Sequence, residues 1–296
     1  MLEVVRMTPL ASCPTDVLAA VRGLLTDIDE TLSTRGQLTA EAYAALAALK
    51  QAGLLVIPVT GRPAGWCDHI ARFWPVDAVI GENGAFWMWH DTKAGKLRTR
   101  FIQSESERAE GRRRLEAVRA EVMQSVAGAS IASDQPYRLA DLAIDFCEDV
   151  PALSRAEVER IVSTFEKHGA HAKVSSIHVN GWFGDYDKLS TTRVMMAELF
   201  GVDLAREAEH YVFSGDSPND SPMFGFFPNA VGVANVCDFA DAMPDLPRWV
   251  TTARSGAGFV ELARAMIAAR QRRTIPSAGE ETRCQPHSTT GSSTNS

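Results

Sequence analysis

The chain has 296 residues, 45% of them hydrophobic, enough apolar material for one large domain or two smaller ones. Its formal net charge of −7 argues against nucleic acid or an anionic membrane surface as the main partner, because neither would find a basic footprint. Cys13, Cys67, Cys147, Cys237 and Cys284 are odd in number and scattered without a CxxC pair, so neither a disulfide framework nor a zinc site is expected, and a reducing cytoplasm is.

The opening "MLEVVRMTPLASCPTDVLAA" has no uninterrupted apolar stretch of signal-peptide type, and nowhere does a run approach the roughly 18 apolar residues of a membrane span. Short apolar runs at 23–27, 54–60, 77–80, 210–214, 230–234 and 248–251 read as strands. Between them lie helical stretches such as 39–52, stopped by Gly53, and 188–200, stopped by Gly201. Uniformly apolar strands alternating with helices indicate βαβ units, hence an α/β fold with a parallel Rossmann-like sheet and helices on both faces. Residues 86–185 have another texture. "AFWMWHD" and "KLRTRFIQ" around "TKAG" read as a hairpin, and a charged helix follows at 104–125. Its "ERAEGRRRLEAVR" interleaves arginine with glutamate as a solvated face does. "LADLAIDF" reads as a strand, a helix near 154–168 opens on Ser154 with Glu157 as a capping box, and "AKVSSIHVNGWF" reads as one further strand. The expected organisation is a core of 1–85 and 186–270, an inserted α+β domain over 86–185, and a disordered Ser/Thr/Pro-rich tail over 271–296, with Cys284 incidental within it.

Ligands of open parallel sheets bind outside the carboxyl ends of the strands. Four polar clusters fall there: Asp27, Asp29 and Thr31; Thr60, Gly61 and Arg62 of "VTGRP"; Lys188 at a helix start; and Asp216, Asn219 and Asp220 of "SGDSPND". Each alone has an ordinary explanation as a turn, a helix cap or a solvated charge. Together, carboxylates from two strand ends, a hydroxyl and an ammonium suit Mg²⁺ and a phosphoryl group, whose oxygens need a metal, a lysine and hydrogen-bond donors around them.

The order D-x-D-x-T, strand-end Thr, Lys, G-D-x-x-x-D resembles the haloacid dehalogenase superfamily of phosphohydrolases over residues 21–270. The insertion resembles that superfamily's type IIB cap. "GENGA" at 81–85 and "GDSPNDSPMF" at 215–224 look most like the Cof-like and sugar-phosphate phosphatases, those for sucrose phosphate, trehalose phosphate and mannosyl-3-phosphoglycerate among them. The resemblance implies a Mg²⁺-dependent phosphatase of a small phosphorylated metabolite, a sugar phosphate above all. It makes Asp27 the nucleophile and Asp29 the acid and base, with Thr60 and Lys188 gripping phosphoryl oxygens. Asp216 and Asp220 would complete a metal site with Asp27 and the backbone carbonyl of Asp29, and Asn219 would orient Lys188 or a phosphoryl oxygen. The family usually has glycine between Asp29 and Thr31; here Glu30 stands there, and a permissive loop position is expected.

For the substrate, Gly61, Arg62, Glu82, Asn83 and His178 are candidates, with Asn180 and Trp182 beside them. Arg62 would reach a second anionic group or pair with a core aspartate. Trp182 would serve either as a stacking platform or as packing, and Phe86, Trp87 and Trp89 as hairpin packing. A monomer or homodimer is expected. The rival readings are a phosphotransferase or sugar phosphomutase of the same superfamily and an inactive sugar-phosphate sensor, although every catalytic position is filled. A dehalogenase would have no use for Asp29. A dinucleotide-binding enzyme is disfavoured because no GxGxxG follows the first strand.

Overall fold

A short strand with apolar side chains on both faces has to be covered on both faces. The computed structural model describes residues 7–175 and 177–274 and meets that demand with a two-sided core. In chain order, β1 (Thr8–Pro9), β2 (Gly23–Thr26) and β3 (Leu55–Pro58) precede an antiparallel ribbon of β4 (Val79–Gly81), β5 (Phe86–Asp91) and β6 (Lys96–Phe101). Next come β7 (Ser130–Ile131), β8 (Leu142–Asp145), β9 (His171–Val174) and β10 (His178–Trp182), and then β11 (Tyr211–Gly215), β12 (Val231–Gly232) and β13 (Trp249–Val250). The core sheet runs β1-β13-β12-β11-β2-β3, parallel throughout.

Alternate side chains of the central strands go to opposite layers. Leu24, Val56 and Val212 pack under helices Ala40–Gln51 and Ser255–Thr274, while Leu25, Ile57 and Phe213 meet Met195 and Met196 of helix Lys188–Phe200. Each such fully buried side chain stabilises the fold by about 1.5–3 kcal/mol. The connections leave β2 for β3 on one side and return to β11 on the other. The strand order therefore reverses between β2 and β11, and a crevice opens at their carboxyl ends. The helix ends follow the expected signals. Thr39 caps Ala42 N–H and Gly53 follows at φ +77°; Asp187 opens helix Lys188–Phe200 in a capping box with Ser190, and Gly201 ends it at φ +68°.

The second sheet, β7-β8-β10-β9, is antiparallel and packs Leu142, Ile144 and Val179 against Leu115, Val118, Val122 and Phe165 from helices Glu105–Ser125 and Arg155–Lys167. Both helices begin with the capping boxes that their sequences announce, Ser104 with Glu107 and Ser154 with Glu157. Two expectations need correction. Residues 172–183 form two strands, turned at Ser175, whose hydroxyl accepts from the N–H groups of Ile177 and His178. The 86–101 hairpin pairs with β4, and Thr60 N–H donates to Ile80 O, so it belongs by pairing to the core side and the separate sheet begins only at Ser130. The last helix runs to Thr274, past the expected start of the tail at 271; the rest of that segment lies outside the described residues. Among the described residues no helix is long and apolar enough to cross a membrane.

Candidate active site at the core–cap junction

Asp27 follows β2 directly, and its N–H donates to Ser214 O of β11 at 2.8 Å, which fixes it at the sheet reversal. Thr60 follows β3 and Asp216 follows β11, so the three parallel strand ends deliver them together. Lys188, the first residue of its helix, is buried and donates to Asp27 Oδ1 and Asp220 Oδ1, both at 2.8 Å. One carboxylate oxygen each from Asp27, Asp216 and Asp220 lies within 4.8 Å of the others, all three residues buried. Three buried carboxylates around one ammonium are short of positive charge. Burial pushes Asp27 up to about 7, with Asp220 and Asp29 adding to the rise and Lys188 opposing it. Burial likewise pushes Asp216 well above the usual carboxylate range, reinforced by Asp27 and Asp220. Burial works against the Lys188 charge, yet Asp220 and Asp27 more than offset it and raise its pKa. A hard, oxygen-ligated divalent cation fits this donor set.

The individual oxygens divide the labour. Asp216 accepts from Thr31 Oγ1 at 3.2 Å and from Asn235 Nδ2 at 2.8 Å, and both residues hold its carboxylate in place. Asp220 Oδ2 accepts from the N–H groups of Asp216 and Ser217, so this residue also shapes the loop that carries Asp216. Thr60 Oγ1 accepts from Arg62 N–H at 3.0 Å and keeps its own proton to donate. Asn219 Oδ1 accepts from Ser217 Oγ at 2.7 Å, and Asn219 lines the cleft beside Asp27. The Asp29 carboxylate is not part of the metal-ready cluster. It turns to Arg62, which holds it through Nε and Nη2 at 2.8–3.0 Å.

Glu30 is a correction. Its φ of +54° lies in the left-handed region, so the position is not permissive and glutamate bears strain that glycine would not. The side chain offsets that strain: Oε2 accepts from Ser255 Oγ at 2.9 Å and Oε1 from Gly36 N–H at 3.4 Å, which carries the charge away from the three aspartates. Asn235 completes the tether, donating to Glu30 O and accepting from Ser255 N–H, both at 2.9 Å.

The candidates on the substrate side separate. Glu82 leaves the set. Its fully buried carboxylate is taken by the N–H groups of Ala64, Leu139, Ala140 and Asp141 at 2.7–3.2 Å, a clamp between the core and the segment leading into β8. Asn83 is buried, and its Nδ2 has no hydrogen-bond partner; it lines a crevice with Lys188 and Asn219. His178 and Asn180 of β10 reach the cleft beside Asp27, Asp29, Gly61 and Arg62. Trp182 is buried and stacked on Tyr186 at 5.8 Å, and its ring N–H donates to Tyr186 O; the packing alternative holds. Arg62 pairs with the core aspartate Asp29 and crosses to the second sheet's side, reaching Glu148 at 3.1 Å and Asp134 at 3.5 Å.

Several residues of this junction were not anticipated. Arg138 is buried, paired with Asp134 and Asp141 at 3.0–3.1 Å, and donates to Gly61 O at 2.8 Å. Glu148 sits on a turn pinned by the buried Asp145, whose carboxylate accepts from the N–H groups of residues 147, 148 and 149. His178 Nε2 lies 2.8 Å from Glu148 Oε2, within ion-pairing distance but out of line for a hydrogen bond. The His178 ring and then Arg62 hold Glu148 down at about 2. A signal was present for Arg138: Asp134, Arg138 and Asp141 are spaced for pairing and precede an apolar strand, where unpaired charges would be costly. The cleft between the two sheets has room for about one water molecule.

Residues 24–108 match the family model for haloacid dehalogenase-like hydrolases. Among curated proteins, none matches this chain. Solved structures do resemble it. A Thermoplasma acidophilum protein aligns at TM-score 0.63 and 18% identity, covering 83% of this chain and 98% of its own. The C-terminal domain of C. albicans trehalose-6-phosphate phosphatase aligns at 0.67 and 12%, covering 90% and 99%. The sucrose-phosphatase of Synechocystis, solved with sucrose and phosphate, aligns at 0.58 and 14%, covering 83% and 98%. At such identities the likeness is one of fold.

Proposed function

Because residues 24–108 match the haloacid dehalogenase-like hydrolase family and the fold resembles solved structures of that kind, we propose that the chain is a Mg²⁺-dependent phosphatase of a small phosphorylated metabolite, a sugar phosphate, acting through an aspartyl-phosphate. The observation that carries this reading is the buried set of Asp27, Asp216 and Asp220 around Lys188 at the sheet reversal. The fold likeness to trehalose-6-phosphate and sucrose phosphatases supports the substrate class. In this proposal Asp27, Asp216 and Asp220 hold the metal, with Asp29 contributing through its backbone carbonyl. Mg²⁺ when bound supplies charge stabilisation to the transferring phosphoryl group.

The remaining steps belong to the chain's own groups. One oxygen of Asp27 attacks phosphorus while the bond to the leaving oxygen breaks, and Asp29, aimed by Arg62, gives that oxygen its proton. The oxygen of a water molecule then bonds to phosphorus as Asp29 takes the water's proton, and the bond between phosphorus and Asp27 breaks to release phosphate and restore the Asp27 carboxylate. Lys188 spends two of its three N–H donors on Asp27 and Asp220 and has one left for a phosphoryl oxygen, beside the Thr60 hydroxyl. The free thiols of Cys13, Cys67 and Cys237 support placing the enzyme in the cytoplasm.

Phosphate release from a panel of sugar phosphates, glycerate phosphates and nucleotides, with Mg²⁺ and with a chelator, tests the proposal. Mg²⁺-dependent turnover is expected, lost by at least roughly a thousandfold in Asp27→Asn. A variant or a chelated enzyme that keeps the wild-type rate would sink the mechanism.

A further inference from the structure

Among the described residues the Asp29 carboxylate has one hydrogen-bond partner, the Arg62 guanidinium, which meets it through Nε at 2.9 and 3.0 Å and through Nη2 at 2.8 Å. Whatever sets Arg62 therefore sets the direction in which Asp29 points. On the core side the guanidinium lies over the Trp66 ring, 4.4 Å from its centroid, a contact that supports it without supplying a hydrogen bond. The directional partner comes from across the cleft. Glu148 Oε1 accepts from Arg62 Nη2 at 3.1 Å, on the same nitrogen that reaches Asp29. Asp134 Oδ2 stands 3.5 Å from Nη1, an ion-pair contact only, and both its oxygens already accept from Arg138.

The turn that carries Glu148 has a fixed shape. Buried Asp145, the last residue of β8, accepts from the N–H groups of Cys147, Glu148 and Asp149 at 2.7–2.9 Å. The second Glu148 oxygen lies 2.8 Å from His178 Nε2 on β10, so the carboxylate is held from behind while Oε1 faces Arg62. Three N–H groups committed to one buried carboxylate are a large outlay for a latch. The junction is already closed without it, by Arg138 on Gly61 O and by the Glu82 clamp. What the turn adds is a defined position for a single acceptor beside the arginine that holds Asp29.

We propose, resting on the phosphatase reading above, that Glu148 is a positioning residue for proton transfer. From the cap it sets Arg62, and through Arg62 it holds Asp29 in line with the ester oxygen. Asp29 passes its proton to that oxygen as the oxygen's bond to phosphorus breaks and an Asp27 oxygen bonds to phosphorus. The core alone thus carries the nucleophile and the metal-ready carboxylates, and the cap supplies the aim of the acid. Glu148 makes no contact with Asp27, Thr60 or Lys188, so displacement at phosphorus does not depend on it.

Three esters of similar size and increasingly poor leaving oxygens test this: p-nitrophenyl, phenyl and benzyl phosphate, assayed with Mg²⁺ well below the melting temperature. The quantity compared is kcat/KM, which ends with phosphoryl transfer to Asp27 and leaves out the later step in which Asp29 acts as a base. p-Nitrophenolate departs without a proton, whereas a benzyl alkoxide needs one. Glu148→Ala is expected to lower kcat/KM for benzyl phosphate by about tenfold or more and for p-nitrophenyl phosphate by about twofold at most, with phenyl phosphate between them. The p-nitrophenyl rate also reports that the variant is folded. Glu148→Gln keeps an oxygen that can accept from Arg62 Nη2 and should recover most of the benzyl rate. A structural role alone would lower all three esters together. Equal loss on all three, unchanged rates on all three, or a wild type that cleaves only the p-nitrophenyl ester overturns the inference and leaves the phosphatase reading standing. No hydrolysis of any of the three by the folded wild-type protein overturns the phosphatase reading itself, and this inference with it.

Discussion

Carboxylates at the two ends of the cleft are displaced in opposite directions. At the phosphoryl end, Asp27, Asp216 and Asp220 share one lysine, and burial drives Asp27 up to about 7 and Asp216 well above its usual range. At the leaving-group end, Glu148 lies against His178 and Arg62 and is held down at about 2. Carboxylates are displaced in both directions because the first cluster is buried with one lysine among three of them, whereas Glu148 faces the His178 ring and Arg62. A cluster short of positive charge is suited to receive a cation; a carboxylate that already faces cationic partners is suited to hold parts together. That contrast separates ligand site from latch without reference to any relative.

The sharpest way to break the comparison is to uncouple the latch. Arg138→Met removes the cation between the buried Asp134 and Asp141 and the donor to Gly61 O. Leaving buried carboxylates without their partner costs about 3–5 kcal/mol, so Tm should fall by roughly 10 °C in a thermal melt. A fall of a degree or two would mean that the junction is not a closed ionic unit. A smaller effect is expected at the other end. Asn235→Ala frees Asp216 and cuts the tether from Glu30 O to Ser255 N–H, so Mg²⁺ affinity in isothermal titration calorimetry should drop about 10–100-fold. An unchanged affinity would remove Asn235 from the metal site's support.

How much of this was legible in the sequence follows from where each residue sits. Asp27, Thr60 and Asp216 each end an apolar run, and Lys188 opens a helix, so local pattern marks them as strand-end chemistry before any contact is known. The α/β architecture follows for the same reason, because apolar strands and capped helices are local signals. Glu82, Arg138 and Glu148 work through partners 57, 77 and 86 positions away, respectively, and no spacing rule links a glutamate to a backbone segment so distant. The turn at Ser175 was missed because a serine hydroxyl, not a glycine or proline, makes it. The β5–β6 hairpin was legible as a hairpin but not in its allegiance, since pairing with β4 is decided by the chain entering from Gly81. Glu30 shows the reverse case: a residue that the motif leaves variable stands at φ +54°, and its contacts with Ser255 and Gly36 explain why glutamate is tolerated there.

The gentlest test of the comparison uses acid. Glu148 has a lowered pKa in the folded protein, to about 2 from an ordinary 4.5, so the stability it contributes is present above pH 4.5 and lost as pH falls toward 2. Its partner Arg62 keeps its charge on acidification, so the loss in this window comes from the carboxylate taking up a proton. The wild-type Tm should therefore decline between pH 5 and 3 more steeply than that of Glu148→Gln, by a few degrees, since Glu148 is partly exposed and its pairs are screened. At pH 7 the variant should be the less stable of the two, and the melting curves should converge near pH 2. Parallel pH profiles for the two proteins would show that Glu148 carries no part of the core–cap coupling, leaving Arg138 and the Glu82 clamp to hold the junction alone.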